Sequence, residues 1–167
     1  VLLEESGWII TNSHVIPQDE EDLLVIEDGC LVALPDPETG VPTEWYWADP
    51  YVYTGTSDYY DLAYLSITEP YQDEDGEFYG EFGRTFPAFD DTEICKGNLT
   101  LGEGIRVLGY PMMSGGMNLT ITEGVISSFD DDGFILVSAK IDQGNSGGLV
   151  IDQFGCMIGV AVAVYSG

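Results

Sequence analysis

Basic residues are nearly absent from this chain: four Lys and Arg stand against thirty Asp and Glu, a formal net charge of −26 over 167 residues. Phosphate recognition demands clustered cations, so nucleic acid is excluded as a natural partner. The same negative field keeps a protein in solution and repels acidic polypeptides. It fits a surface adapted to solubility or high salt, and it also fits attraction of cationic substrates. Long apolar runs are missing too. The longest, MIGVAVAVY, has nine residues, about half of the ~18 that suggest a membrane-spanning helix. The charge does not make the chain a disordered tail, because 44% of its residues are apolar and 12% aromatic. A chain of this size buries roughly 68–70% of its unfolded surface, enough for a real core.

Cysteine and histidine are scarce. Cys30, Cys95 and Cys156 lack the paired spacing of a zinc site. One disulfide with a free thiol, outside the cytoplasm, and three reduced thiols fit the sequence equally. None of the three shares a motif with the histidine, which argues against a catalytic role. The acid-rich stretches QDEDGEF (72–78) and DDDG (130–133) lack the spaced ligands and terminal glutamate of an EF-hand loop, and read as solvated turns. No metal and no organic cofactor is called for. The single histidine is His14, in GWIITNSHVI, where an apolar, strand-like run gives out.

What is present is a series of short apolar runs broken by 21 glycines and 8 prolines, the pattern of many strands and few helices. SGWIITNS, DLLVIED, CLVALPD, YWADPYVYTG and DLAYLSI form a first group. GIRVLGYP, TITEGVISSF, FILVSAKI, GLVID and MIGVAVAVY form a second. FDDDGF at 129–134 is the clearest hairpin signal. EWYWADPYVY at 44–53 holds five aromatics in ten positions. Its alternation puts Trp45 and Trp47 on one face, either packed against the core or loops, or available to a ligand.

Near the C-terminal end the chain reads KIDQGNSGGLVID, with glycines crowded around Asn145 and Ser146. Glycine takes backbone conformations other residues avoid and lets another backbone approach closely. A plain turn between strands needs that, and so does a nucleophilic serine in a tight loop. The second reading requires a base, which only His14 can supply, and a carboxylate to hold the imidazole. Asp61, at the start of DLAYLSI, is the candidate carboxylate and Asp58 the fallback.

TNSHV at 11–15, DLAYL at 61–65 and GNSGG at 144–148, in that order, resemble the chymotrypsin-like serine proteases, and most of all the bacterial HtrA/Deg branch. LGEGIRVLGYP (101–111) and MNLTITEGVISSF (117–129) extend the resemblance over nearly the whole chain, excepting 31–57 and 69–98. It implies an all-β fold of two six-stranded-type antiparallel β-barrels with the active site in the cleft between them. It places the first barrel at 1–68, an acidic, aromatic-rich connector at 69–98 and the second barrel at 99–167. Because the family has a strand ahead of VLLEESGWIITNSHV, it also implies a core cut from a longer chain and lacking its first strand. Tyr64 stands where the family has an aliphatic residue.

Carried over residue by residue, the resemblance makes Ser146 the nucleophile, His14 the base and then acid, and Asp61 the orienting carboxylate. The backbone N–H groups of Gly144 and Ser146 become the oxyanion hole. Lys140 falls near the base of the primary specificity pocket, with Val160, Ala161, Val162 and Ala163 along its wall. Asn145 replaces the aspartate of the digestive enzymes, which argues against activation by an N-terminal salt bridge. The implied activity is serine endopeptidase on a polypeptide substrate, in an extracytoplasmic (periplasmic or secreted) location. A catalytically idle peptide-binding domain, a serine esterase and a dedicated processing enzyme are the alternatives.

Overall fold

In a computed structural model of the chain, the described residues are 1–16, 29–53, 60–88, 94–95, 97–112 and 115–162. They form two compact units, Val1–Ala88 and Phe89–Gly167. Both are all-β, with a 3₁₀ turn at Ser13–Val15.

The first unit is a four-stranded antiparallel sheet in the order β1-β4-β3-β2, built from β1 (Trp8–Thr11), β2 (Cys30–Pro35), β3 (Pro42–Tyr53) and β4 (Ala63–Pro70). The expected strand DLLVIED falls outside the described residues. β4 alternates, burying Ala63 and Leu65 against Ile9, Ile16 and Ala48. Each aliphatic side chain taken fully out of water in this way contributes roughly 1.5–3 kcal/mol. In β3 the buried face belongs to Tyr46 and Ala48, 1% and 0% exposed. Trp45 and Trp47 therefore occupy the other, half-buried face, and Trp47 packs edge-on against Tyr71 at 5.7 Å. Pro50, which has no N–H to give a ladder, sits beside a register shift between Pro50 and Val52. Residues 71–86 return onto this sheet. Tyr71 N–H donates to Trp45 O, Trp45 N–H donates to Tyr79 O, and Arg84 pairs with Glu44.

The second unit is a five-stranded antiparallel sheet in the order β7-β6-β5-β8-β9, with β5 (Gly104–Gly109), β6 (Thr120–Phe129), β7 (Ile135–Val137), β8 (Leu149–Asp152) and β9 (Met157–Val160). Central β5 alternates, placing Ile105 and Val107 in a core with Ile126, Ala139, Val150 and Ala161. β6 and β7 are joined at the anticipated hairpin, where the Asp130 carboxylate accepts N–H groups from Asp132 (3.1 Å) and Phe134 (2.7 Å). Asp73 does the same in the other acidic loop, accepting from Asp75 (3.0 Å) and Glu77 (2.9 Å). These carboxylates organise their own turns, as aspartate commonly does. The two antiparallel sheets, with four and five strands among the described residues, agree with the all-β expectation.

Candidate active site

His14 sits in the 3₁₀ turn that ends β1, where the apolar run gives way to Asn12 and Ser13. Across the sheet, β1 pairs with β4 in a register that sets Thr11 opposite Ala63. The residues just before β4 therefore face the turn just after β1. Asp61 lies there and contacts His14 twice: its Oδ2 is 2.6 Å from His14 Nδ1, and its Oδ1 accepts the His14 backbone N–H at 3.0 Å. The imidazole keeps 38% of its side-chain surface exposed and Asp61 keeps 20%, so the pair is held from one side and open on the other.

Asp61 is the one non-glycine residue with positive φ among the described residues, at +40°. Such a conformation costs roughly 1–3 kcal/mol and persists only where surrounding bonds enforce it. Three donors supply them. Ser13 N–H and Asn12 Nδ2 both donate to the Asp61 carbonyl at 3.1 Å, and Ser13 Oγ donates to the Leu62 carbonyl at 2.7 Å. Asn12 and Ser13 are both 0% exposed. They are the site residues that sequence reasoning missed. The only local signal was a pair of short polar side chains at a strand's end, and nothing local tied them to residues 49 positions away.

Gly144, Asn145 and Ser146 belong to the second unit, in the loop leading into β8. The loop is pinned from three directions. Met112 N–H donates to Gln143 O (2.8 Å), Asn145 N–H to Asp142 O (3.0 Å), and Gly147 N–H to Ala161 O (2.9 Å). Asn145 is 4% exposed. Gly144 has φ +95°, and a Cβ on it would lie 2.5 Å from Tyr110 O and 2.9 Å from Met112 N. At Gly148 a Cβ would strike Leu108 O. Two of the loop's glycines are therefore required by backbone approaching backbone. Among the described residues no acceptor is found for the Gly144 N–H.

Of the expected specificity residues, Lys140 has most of its side chain exposed, with Nζ 2.9 Å from Asp142 Oδ2. Ala161 is buried in the core of the second unit, and its N–H donates to Gly148 O at 2.9 Å, completing a ladder with the loop. Val160 and Val162 stay partly exposed. Ala163 and the fallback Asp58 fall outside the described residues.

Cys95 and Cys156 form a disulfide spanning 61 positions, and Cys30 is free. Burial and the negative charge of Asp49 push the Cys30 thiol above its ordinary range.

Comparison with known proteins gives a consistent picture. A probable periplasmic serine endoprotease DegP-like from Brucella suis is 29% identical over 175 residues, covering 99% of this chain and 27% of that protein. A protein of the same description from Chlamydia trachomatis is 28% identical over 179 residues, with 99% and 28% coverage. The chain thus spans about a quarter of the length of these relatives. Among solved structures, Deg5 superposes with a TM-score of 0.64 at 26% identity, covering 97% of this chain and 71% of that one. The serine endoprotease from Yersinia pestis does so with a TM-score of 0.60 at 23% identity, covering 96% and 46%; at that identity the likeness is one of fold. The family model described as a trypsin-like peptidase domain matches residues 1–160, and with HtrA-type relatives aligned along almost its full length, the chain belongs to the trypsin-like peptidase domain family.

Proposed function

We propose that this chain is a serine endopeptidase domain that hydrolyses peptide bonds through an acyl-enzyme intermediate. The observation that carries the reading is the two-point hold of Asp61 on His14. A carboxylate against Nδ1 keeps the proton on that nitrogen and leaves Nε2 as the base, and it stabilises the imidazolium that forms. In the proposed reaction Ser146 Oγ attacks the substrate carbonyl as His14 Nε2 takes its proton. The oxyanion is met by the N–H groups of Gly144 and Ser146. The lack of an acceptor for the Gly144 N–H among the described residues supports this role, since a donor must be unspent to serve there. His14 then gives its proton to the departing amine. Water, deprotonated by the same nitrogen, cleaves the acyl ester and regenerates Ser146.

A medium aliphatic side chain before the scissile bond fits the residues assigned to the specificity pocket. Val160 and Val162 supply small apolar surface, and the contact with Asp142 supports an outward course for Lys140. Peptides with Val or Leu at that position are then cleaved best and Lys140→Met changes little; a Glu preference lost in that variant would reverse the assignment. The relatives named periplasmic, together with a disulfide, support an extracytoplasmic location.

A fluorophosphonate probe tests the central claim. It should label Ser146 stoichiometrically, and Ser146→Ala should lower kcat by a factor of order 10⁴–10⁶ without loss of fold. An unlabelled, well-folded protein would identify a peptide-binding domain, and proteolysis surviving in Ser146→Ala would move the nucleophile elsewhere.

A further inference from the structure

Asp152, the last residue of β8, is 5% exposed. Its Oδ1 is satisfied by the N–H groups of Phe154 (2.8 Å) and Cys156 (3.0 Å). Among the described residues its Oδ2 meets the two sulfurs, 3.4 Å from Cys95 Sγ and 3.2 Å from Cys156 Sγ. Disulfide sulfurs carry no hydrogen, so in the oxidised protein this buried carboxylate oxygen has no donor among the described residues. Buried polar atoms are rarely left so, and the exceptions call for an explanation such as a redox role or an ion.

We propose that Cys95, Asp152 and Cys156 form a binding site for a soft divalent cation of the zinc class, open when the disulfide is reduced and closed when it is formed. The three ligand atoms lie within 4.8 Å of one another. Tetrahedral zinc with Zn–S of about 2.3 Å and Zn–O of about 2.1 Å sets sulfur and oxygen about 3.6 Å apart and the two sulfurs about 3.8 Å apart. The oxygen–sulfur distances are already close to that, so only the two sulfurs must separate. Their Cα atoms are 5.3 Å apart. Backbone hydrogen bonds tie both cysteines in addition to the S–S bond. Cys95 N–H donates to Met157 O (2.9 Å), and Asp152 N–H donates to Cys156 O (3.0 Å). The two N–H bonds to Oδ1 orient the carboxylate, as outer partners do for metal ligands.

The chemistry balances in two steps. A phosphine reductant gives two electrons to the S–S bond and becomes the phosphine oxide with oxygen from water, leaving two thiols whose hydrogens point to Asp152 Oδ2. The cation then displaces both thiol protons to solvent and bonds two thiolates and Oδ2, with water in the fourth position. Thiolates select zinc-class ions over calcium or magnesium, so the exposed carboxylates of this acidic chain do not compete on equal terms.

The test is titration of the phosphine-reduced chain with Co²⁺, read by the sulfur-to-cobalt charge-transfer band. The band should saturate at one equivalent, collapse when Zn²⁺ is added, and be absent from the oxidised protein. Cys95→Ser should abolish it. Asp152→Asn, whose Oδ1 can keep the bonds to Phe154 and Cys156, should weaken binding at least tenfold. Independently of any variant, Zn²⁺ should protect Cys95 and Cys156 of the reduced chain from alkylation while leaving Cys30 labelling unchanged, read by mass spectrometry. Cobalt uptake without the band is binding to surface carboxylates only and overturns the proposal. So does a band that survives Cys95→Ser, unchanged affinity in Asp152→Asn, or equal protection of all three cysteines.

Discussion

Replacing Gly144 by alanine should damage the protein in two separable ways. The residue has φ +95°, where a side chain costs roughly 1–2 kcal/mol. The added Cβ would also lie 2.5 Å from Tyr110 O, 2.9 Å from Met112 N and 3.2 Å from Pro111 Cα, all backbone atoms that cannot swing aside. Relief of that overlap must come from movement of the loop, at a further cost of about 1–3 kcal/mol. The sum, roughly 2–5 kcal/mol, corresponds to a fall in Tm of about 4–20 °C for a chain of this size. Gly102 is the control: its φ is +81°, yet nothing lies within 4 Å of a Cβ there. Gly102→Ala should therefore cost only the conformational share, about 1–2 kcal/mol. If Gly144 supplies an oxyanion donor, the loop shift should also lower kcat by a factor of order 10²–10³, with kcat in Gly102→Ala unchanged. Thermal unfolding by circular dichroism and initial rates on a quenched peptide measure the two effects. Equal Tm losses in the two variants would refute the steric argument; full activity in a destabilised Gly144→Ala would refute the donor assignment.

Two further outcomes follow from the first unit. Asp61→Asn should fold normally, because asparagine tolerates positive φ and its Oδ1 can still accept the His14 N–H, yet kcat should fall by a factor of order 10⁴ as the amide favours the wrong imidazole tautomer. A variant keeping more than about a tenth of the activity would remove Asp61 from the mechanism. Cys30 has its thiol pushed up, first by burial and then by Asp49, so less thiolate is present at mildly alkaline pH than in an ordinary cysteine and iodoacetamide should label it slowly, the rate climbing as pH rises further. Asp49→Asn should bring the thiol down and speed labelling in the native protein; an unchanged or slower rate would show that burial alone sets it.

The face that β3 buries was left for tertiary structure to decide. The alternation in EWYWADPYVY was plain, but period two says only that two faces exist. Packing chose Tyr46 and Ala48 for the core, since the small Ala48 lets Ile9, Ala63 and Leu65 close over it. The hairpin at FDDDGF was legible because its cause is local, an aspartate accepting the N–H groups of its own turn.

By itself the sequence determined the strand-rich class, since apolar runs with turn residues between them leave the backbone little else to form. It also determined the order of TNSHV, DLAYL and GNSGG, because short motifs carry their side-chain chemistry and glycine freedom with them. Only the tertiary structure decided which groups meet. The register of β1 on β4 brings Asp61 to His14 across 47 positions, with Asn12 and Ser13 bracing it. The packing of residues 94–95 beside β9 selects Cys95 and Cys156, and not Cys30, as the disulfide, with Asp152 against it. Such contacts depend on strand pairing between distant segments, and pairing is set by how whole faces bury one another, which no local stretch of chain encodes.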